Sequence, residues 1–190
     1  MSDTDEKPAR KAMSLEEVEQ IYHSILASPE AITGNESDIV RNFMVCHLGG
    51  KYEDRIPCGP ADTIVQEMAF KYGRADIVVF HLDGSASVIE VKDGGKGYTP
   101  TVAGIGQVGL YATQLGLAKS GLTKIRRCLL WSSTGDSVLD SIIELICEQA
   151  GVIPLPHPSI RKIMAVNMAV YTCFAARDAE EQAEHQEAQA

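Results

Sequence analysis

Asp76, Glu90 and Lys92 are the residues of this chain best suited by type and spacing to do chemistry. Glu90 and Lys92 are two apart in Val88-Ile-Glu-Val-Lys92, an apolar, β-rich run, so on a strand they share a face while Val91 points away. Asp76 opens another such run, Ile77 to Leu82, and Asp83-Gly84 between the two is a two-residue hairpin signal. Antiparallel pairing about that turn brings the start of one strand beside the end of the other, and Asp76 beside Glu90 and Lys92. Two carboxylates on neighbouring strands offer hard oxygen ligands to Mg2+ or Mn2+, an ion that keeps waters and room for phosphate. The carbonyl of Val91 is a further candidate ligand. Such an ion neutralises charge on a phosphodiester and acidifies a bound water, while an adjacent lysine orients that water or stabilises developing charge. The plainer reading of the three residues is a salt bridge at a strand end. Against it, carboxylates set in an apolar run are costly to bury without a cation.

The elements that must position these groups follow from periodicity and punctuation. Residues 1–13 are polar and read as a disordered leader. Ser14 and Glu17 form a capping box for a helix that Pro29 ends. A second helix is expected over Glu36 to Leu48, stopped by Gly49-Gly50 and facing inward with Ile39, Phe43 and Met44. Three strands follow, Thr63 to Tyr72, Ala75 to Leu82 and Ala86 to Lys92. The run Asp93-Gly-Gly-Lys-Gly97 then reads as a mobile loop beside Lys92, with Lys96 in reach of a phosphate. Thr101 to Ala118 is a helix whose glycines either weaken it or mark close packing. Arg126 to Ser132 reads as a buried strand containing Trp131, and Asp136 or Ser137 caps a helix to Gln149. Val152 to Leu155 is a short edge strand limited by Pro154 and Pro156. Residues Arg161 to Ala176 fit helix or strand equally. The order predicts a mixed α/β domain over residues 14–176, with helices flanking one sheet, followed by an acidic tail at 177–190.

Composition narrows the setting. With 190 residues, 45% hydrophobic and 23% charged, the chain can bury one core. It holds no apolar run long enough to span a bilayer and no secretory signal pattern, so a cytoplasmic location without membrane association is expected. Five scattered cysteines lack metal-ligand spacing and read as buried free thiols. A net charge of −9 disfavours a general nucleic-acid binder. The stretch from Lys92 to Arg127 runs the other way, with Lys96, Lys119 and Lys124 as candidate phosphate contacts or, equally, a solvated surface. The acidic tail is a candidate dock for a protein partner, and a homo-oligomer is compatible with the sequence.

Gly73-Arg-Ala-Asp76-Ile-Val-Val-Phe followed by Val88-Ile-Glu90-Val-Lys92 resembles the core signature of the PD-(D/E)xK, or restriction-endonuclease-like, nuclease superfamily. The resemblance covers roughly residues 36 to 133 and includes the αβββαβ order of that core. Ala75 stands where the motif's proline would be. Gln107-Val-Gly-Leu-Tyr111 resembles the Q-x-x-x-Y helix of the RecB-like and lambda-exonuclease-like branch, and residues four apart share a helix face. The resemblance implies a Mg2+- or Mn2+-dependent deoxyribonuclease in which Asp76 and Glu90 hold metal and Lys92 positions or activates water. Gln107 would support the site and Tyr111 contact the DNA strand. Small stand-alone members work in phage and mobile-element DNA processing. The family often adds an acid from the helix before the strands. Glu36 fits that role, with Asp38 close behind and Glu67 a weaker alternative, although Glu36 and Asp38 also suit a helix N-terminus. The rival expectation is a catalytically inactive fold of this class that binds nucleic acid or protein.

Overall fold

A computed structural model describes residues 35–159 without a break, together with residues 14, 16–17, 19–21, 23, 162–165, 168–169 and 171–172. The leader and the acidic tail lie outside the described residues. Of the helix expected from Ser14, and of the undecided stretch from Arg161, every described residue after Ser14 is helical. The capping box forms: Glu17 N–H donates to Ser14 Oγ at 3.2 Å, and Ser14 N–H to the Glu17 carboxylate at 2.7 Å. The chain divides into two compact units, Thr33–Met164 and a second made of Met1–Ile32 with Ala165–Ala190. The span 14–176 takes in parts of both.

The first unit carries the sheet. Helix α1 (Glu36–Leu48) leads to strands β1 (Thr63–Phe70), β2 (Gly73–Phe80) and β3 (Ala86–Asp93), then a 3-10 turn (Gly94–Lys96) and helix α2 (Tyr98–Ala118). Strand β4 (Ile125–Ser132), helix α3 (Ser137–Gln149) and strand β5 (Ile153–His157) complete it. The strands lie in sequence order in one sheet. β1, β2 and β3 pair antiparallel, and β3–β4 and β4–β5 are parallel. This is the mixed α/β sheet, in αβββαβ order, that the sequence predicts. β5 pairs only with β4, and an edge tolerates Pro154 and Pro156 because a proline has no N–H to give the ladder.

Alternation along the strands gives the sheet two apolar faces. Ile77, Val79, Ile89, Val91 and Leu130 pack with Ile39 and Phe43 of α1. Val78, Val88, Leu129 and Trp131 pack with Val108 and Leu115 of α2 and Ile143 of α3. β3 is central and covered on both faces, which is why its first six residues, Ala86 to Val91, are all buried. Beside the first face a buried polar network ties the loop before β1 to the sheet: Asp62 Oδ2 lies 3.0 Å from both His47 Nε2 and His81 Nδ1.

Two local expectations are corrected. The hairpin between β2 and β3 is not a two-residue turn. His81 N–H donates to Ser85 O and Gly84 N–H to His81 O, leaving a three-residue loop, Leu82-Asp83-Gly84. Gly84, at φ 78, takes the left-handed position that such a loop needs. The register is therefore Phe80↔Ala86 and Ile77↔Ile89. A two-residue turn would have set Asp76 against Val91, on the face away from Glu90; the extra residue sets it against Glu90. The second correction concerns Asp93 to Gly97, which is a fixed turn rather than a mobile loop. Gly94 is buried, its N–H donates to Ser132 Oγ at 3.1 Å, and a Cβ there would lie 2.0 Å from the Ser132 carbonyl oxygen. Only glycine allows that approach.

Candidate active site

Glu90 and Lys92 project from β3 toward α2. Glu90 is 3% exposed. Lys92 Nζ donates to its Oε1 at 2.7 Å, whereas Glu90 Oε2 is buried without a hydrogen-bond partner among the described residues. Burial is the main reason the Glu90 carboxyl is pushed up to about 7, with the charges of Asp76 and Glu36 adding to it and Lys92 opposing it. Room for the lysine comes from α2: a Cβ on Gly104 would lie 3.2 Å from both Cγ and Cε of Lys92 and 2.6 Å from Leu129 Cδ1. In the sequence the glycines of this helix either weaken it or mark close packing, and at Gly104 the close neighbours are Leu129 and the Lys92 stem.

Asp76 lies where β2 and β3 part. Their ladder stops at Ile77↔Ile89, and Val91 N–H donates to Asp76 Oδ2 at 2.7 Å. The carboxylate therefore occupies the gap between the strands, reached by a backbone N–H that points within the sheet. Burial raises its pKa; the Val91 N–H and the Lys92 charge work against that rise.

The two acids of α1 have different tasks. Asp38 completes a capping box with Asn35, its Oδ2 accepting the Asn35 N–H at 3.0 Å. Glu36 instead reaches the site: its Oε1 lies 3.4 Å from both Asp93 N and Lys96 Nζ, and its charge raises both Asp76 and Glu90. Glu67 has a backbone φ of 52 and pairs with Arg74 at 3.1 Å.

The structure thus brings Asp76, Glu90, Lys92 and Glu36 together, with Lys96 on the rim. The remaining candidates are distributed otherwise. Val91 N–H faces Asp76, and the Val91 side chain is in the core. Gln107 is half-buried on α2, one turn beyond Gly104, with no hydrogen bond of its own among the described residues. Tyr111 stacks on Phe70 with ring centroids 6.1 Å apart and fills the space left by the absent side chain of Gly73. Its contacts are packing contacts. Lys119, over the Phe80 ring at 4.3 Å, and Lys124, whose carbonyl accepts the Ala86 N–H, lie at the hairpin end of β3. Six residues of strand, about 20 Å, separate that end from Lys92. Arg126 and Arg127 are occupied, the first with Ser85 and the second with the Ala150 and Gly151 carbonyls. The position of Arg74 beside Asp76 was missed, although its place two residues before the first acid is plain in the sequence.

The donor set fits a hard cation that keeps waters. Among the described residues no group of three or more His, Cys, Asp and Glu side chains is disposed to hold a metal ion. The carboxylates of Asp76 and Glu90 make a sparser set, of the kind Mg2+ accepts when it keeps several waters. The buried, unpartnered Glu90 Oε2 is the atom such an ion would satisfy.

No protein-family model matches the chain, and no curated protein matches it. Among solved structures, one of an EndoMS–dsDNA2 complex matches with a TM-score of 0.42 and 16% identity, over 70% of this chain and 48% of that one. The match spans about half the length of that chain. Among the described residues no helix is long and apolar enough to cross a membrane.

Proposed function

We propose that the chain is a divalent-metal-dependent nuclease that hydrolyses DNA phosphodiester bonds at the Asp76–Glu90–Lys92 cluster. One observation carries the reading: a 3% exposed glutamate keeps one carboxylate oxygen without a partner while a lysine holds the other. A protein built only for stability gains little from such a pair, since an apolar pair of similar volume is often at least as stable. Asp76 and Glu90, with the Val91 carbonyl, would hold Mg2+ or Mn2+. When bound, that ion supplies a Lewis acid and an acidified water. The Lys92 ammonium, anchored on Glu90 and against Gly104, donates to an oxygen of the phosphate or of the attacking water. Glu36 holds Lys96 at the rim. Gln107, one helical turn from Gly104, would support the site, and the Q-x-x-x-Y pattern of this helix is what favours the RecB-like and lambda-exonuclease-like branch of the superfamily.

The test is cleavage of single- and double-stranded DNA with Mg2+ or Mn2+ by wild type and by Asp76→Asn. Wild type is expected to cleave, and the variant to be slower by about 10²-fold or more, as for loss of several kcal/mol of charge stabilisation. No cleavage in any metal, or equal rates, sinks the reading. A second reading is favoured by the sparse ligand set: an inactive fold of this class serving as a binding module. Calorimetric titration with Mn2+ separates the two, because an active site binds the ion and loses it in Asp76→Asn, whereas a retired one binds none.

Gly104→Ala tests the seat of Lys92. A methyl group there is expected to cost about 1–3 kcal/mol through overpacking, against up to about 1 kcal/mol gained in helix propensity. Displacing the ammonium is expected to slow cleavage by up to about 10²-fold, the cost of a shift of about 1 Å. Thermal unfolding and the cleavage rate check the two parts. A variant as active as wild type would show that Lys92 needs no such seat.

A further inference from the structure

A cleft of about 520 Å3 opens between α1 and the β1–β2 hairpin. Val40, Arg41 and Met44 line its helix side, Glu67 and Arg74 its sheet side, and Glu36 and Asp76 also border it. It is therefore continuous with the candidate active site. On a chain of net charge −9, a phosphodiester approaching Glu36, Asp76 and Glu90 needs cations along its way. Lys92 and Lys96 are engaged by Glu90 and Glu36. Arg126 and Arg127 are tied to the protein, and Lys119 and Lys124 lie at the other end of β3. Arg41 and Arg74 line the cleft itself, one on each wall; each pairs with an acid, Asp38 at 3.4 Å and Glu67 at 3.1 Å, and their side chains are 73% and 58% exposed.

The sheet wall has a second peculiarity. Glu67 alone among the described non-glycine residues has a positive φ, 52. It falls between the pairs Gln66↔Ile77 and Met68↔Ala75, opposite Asp76, where the ladder has no pair. Such a conformation is strained for a residue with a side chain. The ion pair that Glu67 makes with Arg74 is solvent-exposed and therefore weak. The pair does not offset the strain and is cheap to break. A phosphate, by contrast, offers an arginine two parallel charge-assisted hydrogen bonds.

We propose that this cleft is the track along which a DNA strand reaches Asp76, that Arg74 is its phosphate-positioning residue, and that Glu67 is a latch the strand displaces from Arg74. The proposal rests on the reading of the site as a DNA-cleaving centre. It moves the contact surface from Lys119 and Lys124 to the groove beside α1.

The test is binding of a fluorescent 20-nucleotide DNA, single-stranded and as its duplex, to the full chain in EDTA over a series of salt concentrations. Arg74→Ala is expected to bind about tenfold more weakly, with a log–log salt slope smaller by about 1. Arg74→Lys is expected to restore the slope but only part of the affinity, because a point charge cannot bond bidentately. Glu67→Gln frees Arg74 without changing the backbone, and Glu67→Gly frees it in a residue that accepts φ 52 at no steric cost. Both are expected to bind about threefold tighter or better, and thermal unfolding confirms that they fold. Arg74→Ala with wild-type affinity and slope overturns the track, and Glu67 variants that bind no tighter overturn the latch. No cleavage enters the measurement, so an inactive wild type would sink the nuclease reading and leave this result to be judged alone. The ratio of single-strand to duplex affinity identifies which form of DNA the track accepts.

Discussion

Glu90→Gln is expected to stabilise the metal-free protein at pH 8 while ending its response to metal and its cleavage of DNA. The Glu90 carboxyl is carried from the ordinary 4.5 up to about 7, chiefly by burial. In the unfolded chain it ionises near its ordinary value. Between those two pH values the folded state therefore holds more protons than the unfolded state, and stability falls as pH rises. The contribution is fully present below about 4.5 and lost as pH passes through about 7. At about 1.4 kcal/mol per pH unit the loss is roughly 3 kcal/mol. A glutamine keeps an amide oxygen for Lys92 and carries no ionisation penalty. The variant is thus expected to exceed wild type by about 1–3 kcal/mol at pH 8 in EDTA and to match it near pH 5. The lower figure applies because Lys92 forfeits its counter-charge. Urea unfolding at the two pH values reads this directly. Mn2+ is expected to reverse the ranking at pH 8 by binding the ionised carboxylate of wild type alone. A variant no more stable than wild type at pH 8 would mean that Glu90 is comfortably ionised without metal.

Much of this architecture was legible. The apolar runs Val88-Ile89 and Cys128 to Trp131 mark β3 and β4 because both faces of the sheet are covered, and α1 begins and ends at its capping residues. What was not legible depends on single residues whose effect is three-dimensional. Asp83-Gly84 signals a turn but not whether two or three residues form it, and that one residue decides which face Asp76 takes. Glu36 and Asp38 are equivalent first-turn acids in sequence; only the reach of Asp38 to the Asn35 N–H frees Glu36 for the site. The glycines after Asp93 look mobile in sequence, yet Gly94 is fixed by a carbonyl that leaves no space for a side chain.

Charge along the chain is redistributed by the fold for a related reason. The basic residues between Lys92 and Arg127 are neighbours in sequence, but α2 carries the chain from one end of the sheet to the other between them. Lys119 and Lys124 therefore arrive at the hairpin end. Arg74, preceded by Lys71 and followed by Asp76, stands out in no count of charge. In the fold the β1–β2 hairpin sets it opposite α1 across the cleft.

Lys92→Met is expected to have the largest effect on chemistry. Methionine keeps most of the stem that packs against Gly104 and Leu129, so the substitution removes the ammonium while preserving much of the volume. Cleavage is expected to fall by about 10²–10³-fold, the loss found when one preorganised donor to a developing negative charge is removed. The same change leaves Glu90 with neither oxygen bonded, in a site 3% exposed. Breaking a buried ion pair from one side costs about 3–5 kcal/mol while the remaining charge persists. Glu90 escapes that cost by taking a proton, so the loss is expected to be large at pH 8 and small at pH 5, opposite in sign at pH 8 to Glu90→Gln. The double variant Lys92→Met with Glu90→Gln is expected to recover stability at pH 8 without recovering cleavage. Urea unfolding of the three variants at both pH values, beside their cleavage rates in Mn2+, checks the set. Equal losses for Lys92→Met at pH 5 and pH 8 would show that the ammonium stabilises the fold by something other than holding the Glu90 charge. A variant that cleaves at the wild-type rate would remove Lys92 from the chemistry altogether.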